Sequence, residues 1–104
     1  MKVPSEIPIF GRNYSLEFVD QATDDKEQNT DATIEFYNST IEITESIDQK
    51  KLLSTILHEC FHGVIHRVGI NQANLSNDLE EIIVENFSTF ITETFDLKFK
   101  KDLF

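Results

Sequence analysis

From Leu52 to Val68 the apolar residues return at helical spacing: Leu52, Leu53, Ile56, Leu57, Cys60, Phe61, Val64, Ile65 and Val68. That period, held over roughly four turns at 3.6 residues per turn, commits the stretch to an amphipathic helix with one face in a core. Inside it lies His58-Glu59-Cys60-Phe61-His62, the pattern His-Glu-x-x-His. Residues four apart stand one above the other on a helix, so both imidazoles can reach one metal ion. Glu59 lies one step round the helix. It is badly placed to ligate and well placed to meet a water held by that ion.

The start of this helix is expected at Ser46, with Gln49 three residues later completing a capping pair. Gly69 is expected to end it in a left-handed conformation. Ile70–Ser76 reads as a connecting loop, and Asn77 with Glu80 as a second capping signal. Leu79, Ile83, Val84, Phe87, Phe90, Ile91 and Phe95 form the apolar stripe of a second helix. The first part of the chain reads as short strands. Ile7–Phe10 and Tyr14–Asp20 flank the turn-prone Gly11-Arg12-Asn13. Ala32–Tyr37 and Thr40–Thr44 alternate around Asn38-Ser39 as a second hairpin. Gln21–Asp31 is polar and aperiodic and reads as a loop.

These elements predict one α+β domain over 1–104, with a small N-terminal sheet packed on two main helices. Its parts are a strand-rich 1–45, a two-helix region 46–95 and a tail 96–104 whose apolar residues dock on the sheet. The 104 residues leave no room for a second core. An apolar fraction of 39% with 9 Phe is enough for a packed globule. No apolar run is long enough to span a membrane, and the N-terminus lacks the apolar core of a signal peptide. The lone cysteine, Cys60, has no internal disulfide partner, which points to a reducing, cytoplasmic setting. A net charge of -10 repels phosphate backbones and argues against direct nucleic-acid binding. The same acidity suits a protein that imitates DNA in another protein's basic groove.

A hydrolytic zinc site takes three protein ligands and a water. The His pair supplies two. His66 continues the series but lies about 6 Å further along the axis, and it reads as a surface histidine near the helix end. The third ligand is expected from the second helix, where Glu80, Glu81 and Glu85 stand; short-looped helices are antiparallel neighbours. At about 100° per residue Glu80 points into the apolar face, Glu81 flanks it and Glu85 lies further round. The histidines also flank their own apolar face. A flank-to-flank meeting favours Glu81, with Glu80 as rival and Glu85 able to orient a ligating histidine from behind.

The strand-rich first half, Thr55-Ile-Leu-His-Glu-x-x-His62 and the later Glu81-x-x-Val-x-x-Phe87 resemble the small zincin-like metallopeptidases of bacteriophages and prophages. More distantly, the chain is similar to the ImmA/IrrE-type metallopeptidases. The resemblance runs from about Ile7 to Phe95. In the ImmA/IrrE pattern, Glu-x-x-Ala-(Asn/Asp)-x-Phe-Ala, the first glutamate is the third ligand, and it falls here on Glu81. Val84 and Ser88 stand where that pattern has alanines, and the chain carries no helix-turn-helix extension or zinc ribbon.

The resemblance implies a minimal zincin-like fold and a zinc metallopeptidase acting on a protein or peptide. Its metal ligands would be His58, His62 and Glu81, and its catalytic acid–base Glu59. Tyr14, Tyr37 or His66 are the candidates for a second oxyanion donor. Cys60 is expected to be a small buried hydrophobe. The alternative is a non-catalytic zinc-binding or acidic DNA-mimic effector that inhibits a host protein.

Overall fold

The computed structural model describes residues 2–69 and 75–104. The first hairpin is β1 (Glu6–Ile9) and β2 (Arg12–Val19), joined by a two-residue turn at Phe10 and Gly11. Both turn residues have positive φ, 49° and 81°, the mirror-image turn that matches strand twist and that Gly11 accommodates without strain. The turn starts one residue earlier than the Gly-Arg-Asn signal suggests and is already complete at Gly11. Arg12 and Asn13 are drawn into the ladder opposite Ile9 and Pro8.

The second hairpin is β5 (Ala32–Glu35) with β6 (Thr40–Thr44). β6 also pairs in parallel with β2, giving a mixed sheet in the order β1-β2-β6-β5. Tyr14, Leu16, Ile41 and Ile43 alternate inward and are almost wholly buried, the period-two pattern of a sheet with one covered face. Gln21–Asp31 is not the plain loop expected. It folds as a small ribbon, β3 (Ala22–Thr23) against β4 (Asn29–Thr30). Its turn is held by Asp24, whose Oδ1 accepts from the amides of Lys26 and Gln28 at 2.9 Å each. Thr44 pins it to the sheet: its hydroxyl accepts from Ala22 N at 3.0 Å and donates to Thr30 O at 2.8 Å.

Helix α1 (Gln49–Val68) is capped by Asp48, which accepts from Lys50 N, rather than by Ser46. Ile47 is buried in the core, and Glu45 and Ser46 form a turn closed by Ile47 N on Thr44 O at 3.0 Å, so the helix starts later. Gly69 ends it at φ 76°, as expected. Helix α2 (Asn77–Thr94) is capped by Ser76 rather than Asn77. Ser76, Asn77 and Asp78 are all competent caps, and periodicity places such a start only within a turn. Of the connecting loop, residues 70–74 lie outside the described residues.

α1 packs on the sheet through Leu52, Ile56 and Gly63, with Cys60 and Val64 beside them. Gly63 is the closest point: a Cβ there would lie 2.7 Å from Ile9 Cδ1 and 3.2 Å from Ile34 Cδ1. A side chain there would have to displace these two methyl ends, so the glycine lets the helix sit this deep. α2 packs on α1 and has no comparable contact with any strand. The arrangement is therefore sheet, then α1, then α2. As a result only Val84 and Ser88 of α2 are buried, and much of its expected apolar stripe is open. The tail reaches the core through Phe99 and ends in a short 3-10 turn, Lys101–Leu103. No helix among the described residues is long and apolar enough to cross a membrane.

Candidate metal centre

The histidines of α1 meet the first two turns of α2. Glu81 reaches both rings: one carboxylate oxygen lies 2.8 Å from His58 Nε2 and the other 2.9 Å from His62 Nε2. One ligand atom from each of His58, His62 and Glu81 can be chosen with all three within 4.8 Å of one another. The opposite edge of each ring is held as well. His58 Nδ1 lies 2.8 Å from Glu85, and His62 Nδ1 donates to Glu80 at 2.5 Å.

Ligand atoms about 2.0–2.1 Å from a tetrahedral ion lie roughly 3.3 Å apart. The three converging atoms need only small movements to reach that spacing. An Nδ1–H donated to a carboxylate leaves the Nε2 lone pair free to face an ion, the tautomer that histidine ligation needs. Carboxylates from Glu80, Glu81 and Glu85 outnumber the two imidazoles, so the local charge also favours a cation. The donor set fits a divalent metal ion by atom type and charge.

Sequence reasoning left Glu81, Glu80 and Glu85 open. The structure separates them. Glu81 joins the His pair, while Glu80 and Glu85 back one ring each. The role of Glu80 behind His62 was not foreseen. The helical wheel aimed it at an apolar core, but that direction on α2 faces α1 at the level of His62.

Glu59 is 8% exposed. Burial pushes its carboxyl up to about 7; the neighbouring His58 opposes this, and Glu81 and Glu85 add to it. It opens, with His58, Glu81 and Glu85, onto a cleft of about 410 Å³. The far wall is Thr30, Asp31 and Ala32, from the end of the ribbon and the start of β5. Lys51 and Thr55 extend the α1 side. These two stand seven and three residues before His58, a helical spacing that could have revealed them. The ribbon wall carries no such local signal.

The proposed oxyanion donors are not at the cleft. Tyr14 is fully buried, with no hydrogen-bond partner for its hydroxyl among the described residues. Tyr37 is 90% exposed on the β5–β6 turn. His66 is exposed, as expected, and stacks on Phe36 at 4.0 Å between ring centroids. Cys60 packs half-buried against the core, and burial, then Glu59, pushes its thiol up to about 12. It is no ready nucleophile.

Comparison with protein-family models, curated proteins and solved structures gave no match. The chemistry of the site therefore rests on its own geometry.

Proposed function

We propose that this chain is a zinc-dependent, zincin-like peptidase in which His58, His62 and Glu81 hold the ion and Glu59 moves the proton. The observation that carries the reading is the meeting of two Nε2 atoms with one carboxylate. The buried acid Glu59 sits beside that meeting point on an open cleft. When bound, zinc supplies an acidified water and a Lewis-acid contact for a carbonyl.

Glu59 accepts the proton of the attacking water and delivers it to the leaving amine. A carboxyl beside the ion, within reach of both the water and the leaving nitrogen, can carry the proton from one to the other. Glu80 and Glu85 keep the rings turned toward the ion. An extended peptide suits the cleft, because its wall continues into β5, an outer strand of the sheet. Lys51 is the one ammonium among the lining residues and offers an anchor for a substrate carbonyl or carboxylate. Cys60, unpaired and unreactive, suits a reducing cytoplasm.

The net charge of -10 favours one second reading: an acidic effector that occupies a host protein's basic groove and keeps zinc as a clamp. Elemental analysis of untagged protein tests the shared premise. About one zinc per chain is expected, and none after zinc reconstitution refutes the site; iron in its place would reassign the metal, since this donor set also suits iron. Glu59→Gln then divides the readings. The peptidase reading requires cleavage to vanish while zinc content and stability persist. Host-protein inhibition that survives the substitution establishes the effector.

A further inference from the structure

One flank of α2 points away from the carboxylate cluster and borders α1 only through Ile83 and Phe87. Leu79, Ile83, Phe87 and Phe90 recur at spacings of four, four and three residues and form a continuous stripe along it. The stripe is open: Leu79 is 47% exposed and Phe87 and Phe90 are each 56% exposed. Phe95, against Phe90 at 6.2 Å between ring centroids, prolongs it at 54%. Beside it lies a dimple of about 220 Å³ between the helices, walled only by apolar residues, Phe61, Val64, Ile65, Ile83, Val84 and Phe87.

We propose that this flank is a two-fold interface at which a second copy of the chain packs its α2 antiparallel to the first. The surface offers both a projecting ring and a hole, which is what a symmetric contact requires. With the axis near residues 86 and 87, Phe90 of one copy falls opposite Ile83 of the other, at the mouth of the dimple. Leu79 falls opposite Thr94. Antiparallel helix dipoles also favour this arrangement.

Half-exposed Phe side chains and the aliphatic residues leave roughly 450 Å² of apolar surface per copy. A symmetric pair removes about 900 Å² of it, close to the roughly 1,000 Å² that a specific interface needs. At about 100° per residue, Glu81 and Glu85 lie on the opposite flank, so the cleft stays open in the pair. The interface does not depend on the metal or on peptidase activity.

Sedimentation velocity and light scattering on the full chain, from the low to the high micromolar range, test the proposal. The expected mass at the upper end is twice the 12.0 kDa of one chain. Phe90→Glu is expected to raise the dimer dissociation constant about 30-fold or more. Leu79→Glu, at the other end of the stripe, should weaken it too, and Thr89→Ala, off the stripe, should not. Circular dichroism establishes which variants remain folded. A wild-type chain that stays at 12.0 kDa throughout overturns the proposal and leaves the stripe to a different partner. So does a dimer indifferent to folded Phe90→Glu or Leu79→Glu.

Discussion

Glu85 holds the Nδ1 edge of His58 at 2.8 Å, which leaves the Nε2 of that ring facing Glu81. Glu80 does the same for His62. Removing either backing carboxylate frees a ring to turn and weakens its Nδ1–H. Glu80→Ala and Glu85→Ala are each expected to lower zinc affinity about 10- to 100-fold. The larger loss is expected for Glu80, whose side chain is 15% exposed against 64% for Glu85, so water replaces it less well. Competition against a chromophoric chelator measures both. Wild-type affinity in the two variants would show that the contacts do not orient the ligands.

The buried carboxyl of Glu59 sets a pH dependence on the metal-free protein. Its folded value of about 7 lies above the ordinary 4.5. The folded state therefore holds the proton more tightly than the unfolded chain between those values. The stability this contributes is fully present below pH 4.5, declines as pH rises toward 7 and is gone above it. The full swing is about 3 kcal/mol, as an order of magnitude. Glu59→Gln keeps the group neutral, so its metal-free form should outlast wild type in urea above neutrality and match it near pH 4.5. Added zinc should shrink the difference, because a nearby cation favours the carboxylate. Parallel pH profiles for the two proteins would contradict this account.

Gly63 allows α1 to approach the sheet, and the cost of adding a methyl there is decided by Ile9. In wild type, Gly63→Ala gains roughly 1 kcal/mol of helix propensity. It meets Ile9 Cδ1 at 2.7 Å in a closely packed core, a clash of about 1–3 kcal/mol. A net loss of about 1 kcal/mol is expected. Ile9→Val removes the offending atom, and on that background Gly63→Ala should become neutral or stabilising. A double-mutant cycle by chemical denaturation reads the coupling. Additive effects would place the helix–sheet contact elsewhere.

Zinc should stabilise the fold by binding a site that exists only when α1 and α2 are together. At 100 times its dissociation constant a ligand adds about 2.7 kcal/mol. For a chain of this size that raises Tm by roughly 10–20 °C. Chelation should reverse the shift, and His62→Ala or Glu81→Ala should abolish most of it. A shift that survives in His62→Ala would mean the ion binds somewhere else.

Much of the secondary structure was legible because its signals are local. The apolar period of 52–68, Gly69 after it, and the alternation in 14–18 and 40–44 each act within a few residues. Helix starts were off by a residue or two where several cap-competent side chains stood in a row. The ribbon at 22–30 was missed for a different reason. It carries no apolar alternation and is held by Thr44, which lies far from it along the chain.

By itself the sequence determined that two imidazoles share one face of a helix beside an acid, because an α-helix repeats that geometry wherever it forms. It also determined that a second helix rich in glutamates follows. Only the tertiary structure decided which glutamate completes the set and which two stand behind the rings. That outcome depends on the rotation and height of α2 against α1, where Val84 and Ser88 are buried, rather than on any local period. The same layering lifted α2 off the sheet and left its aromatic flank open, a result that hydrophobic patterning reads as core because it cannot see how many partners a helix will find.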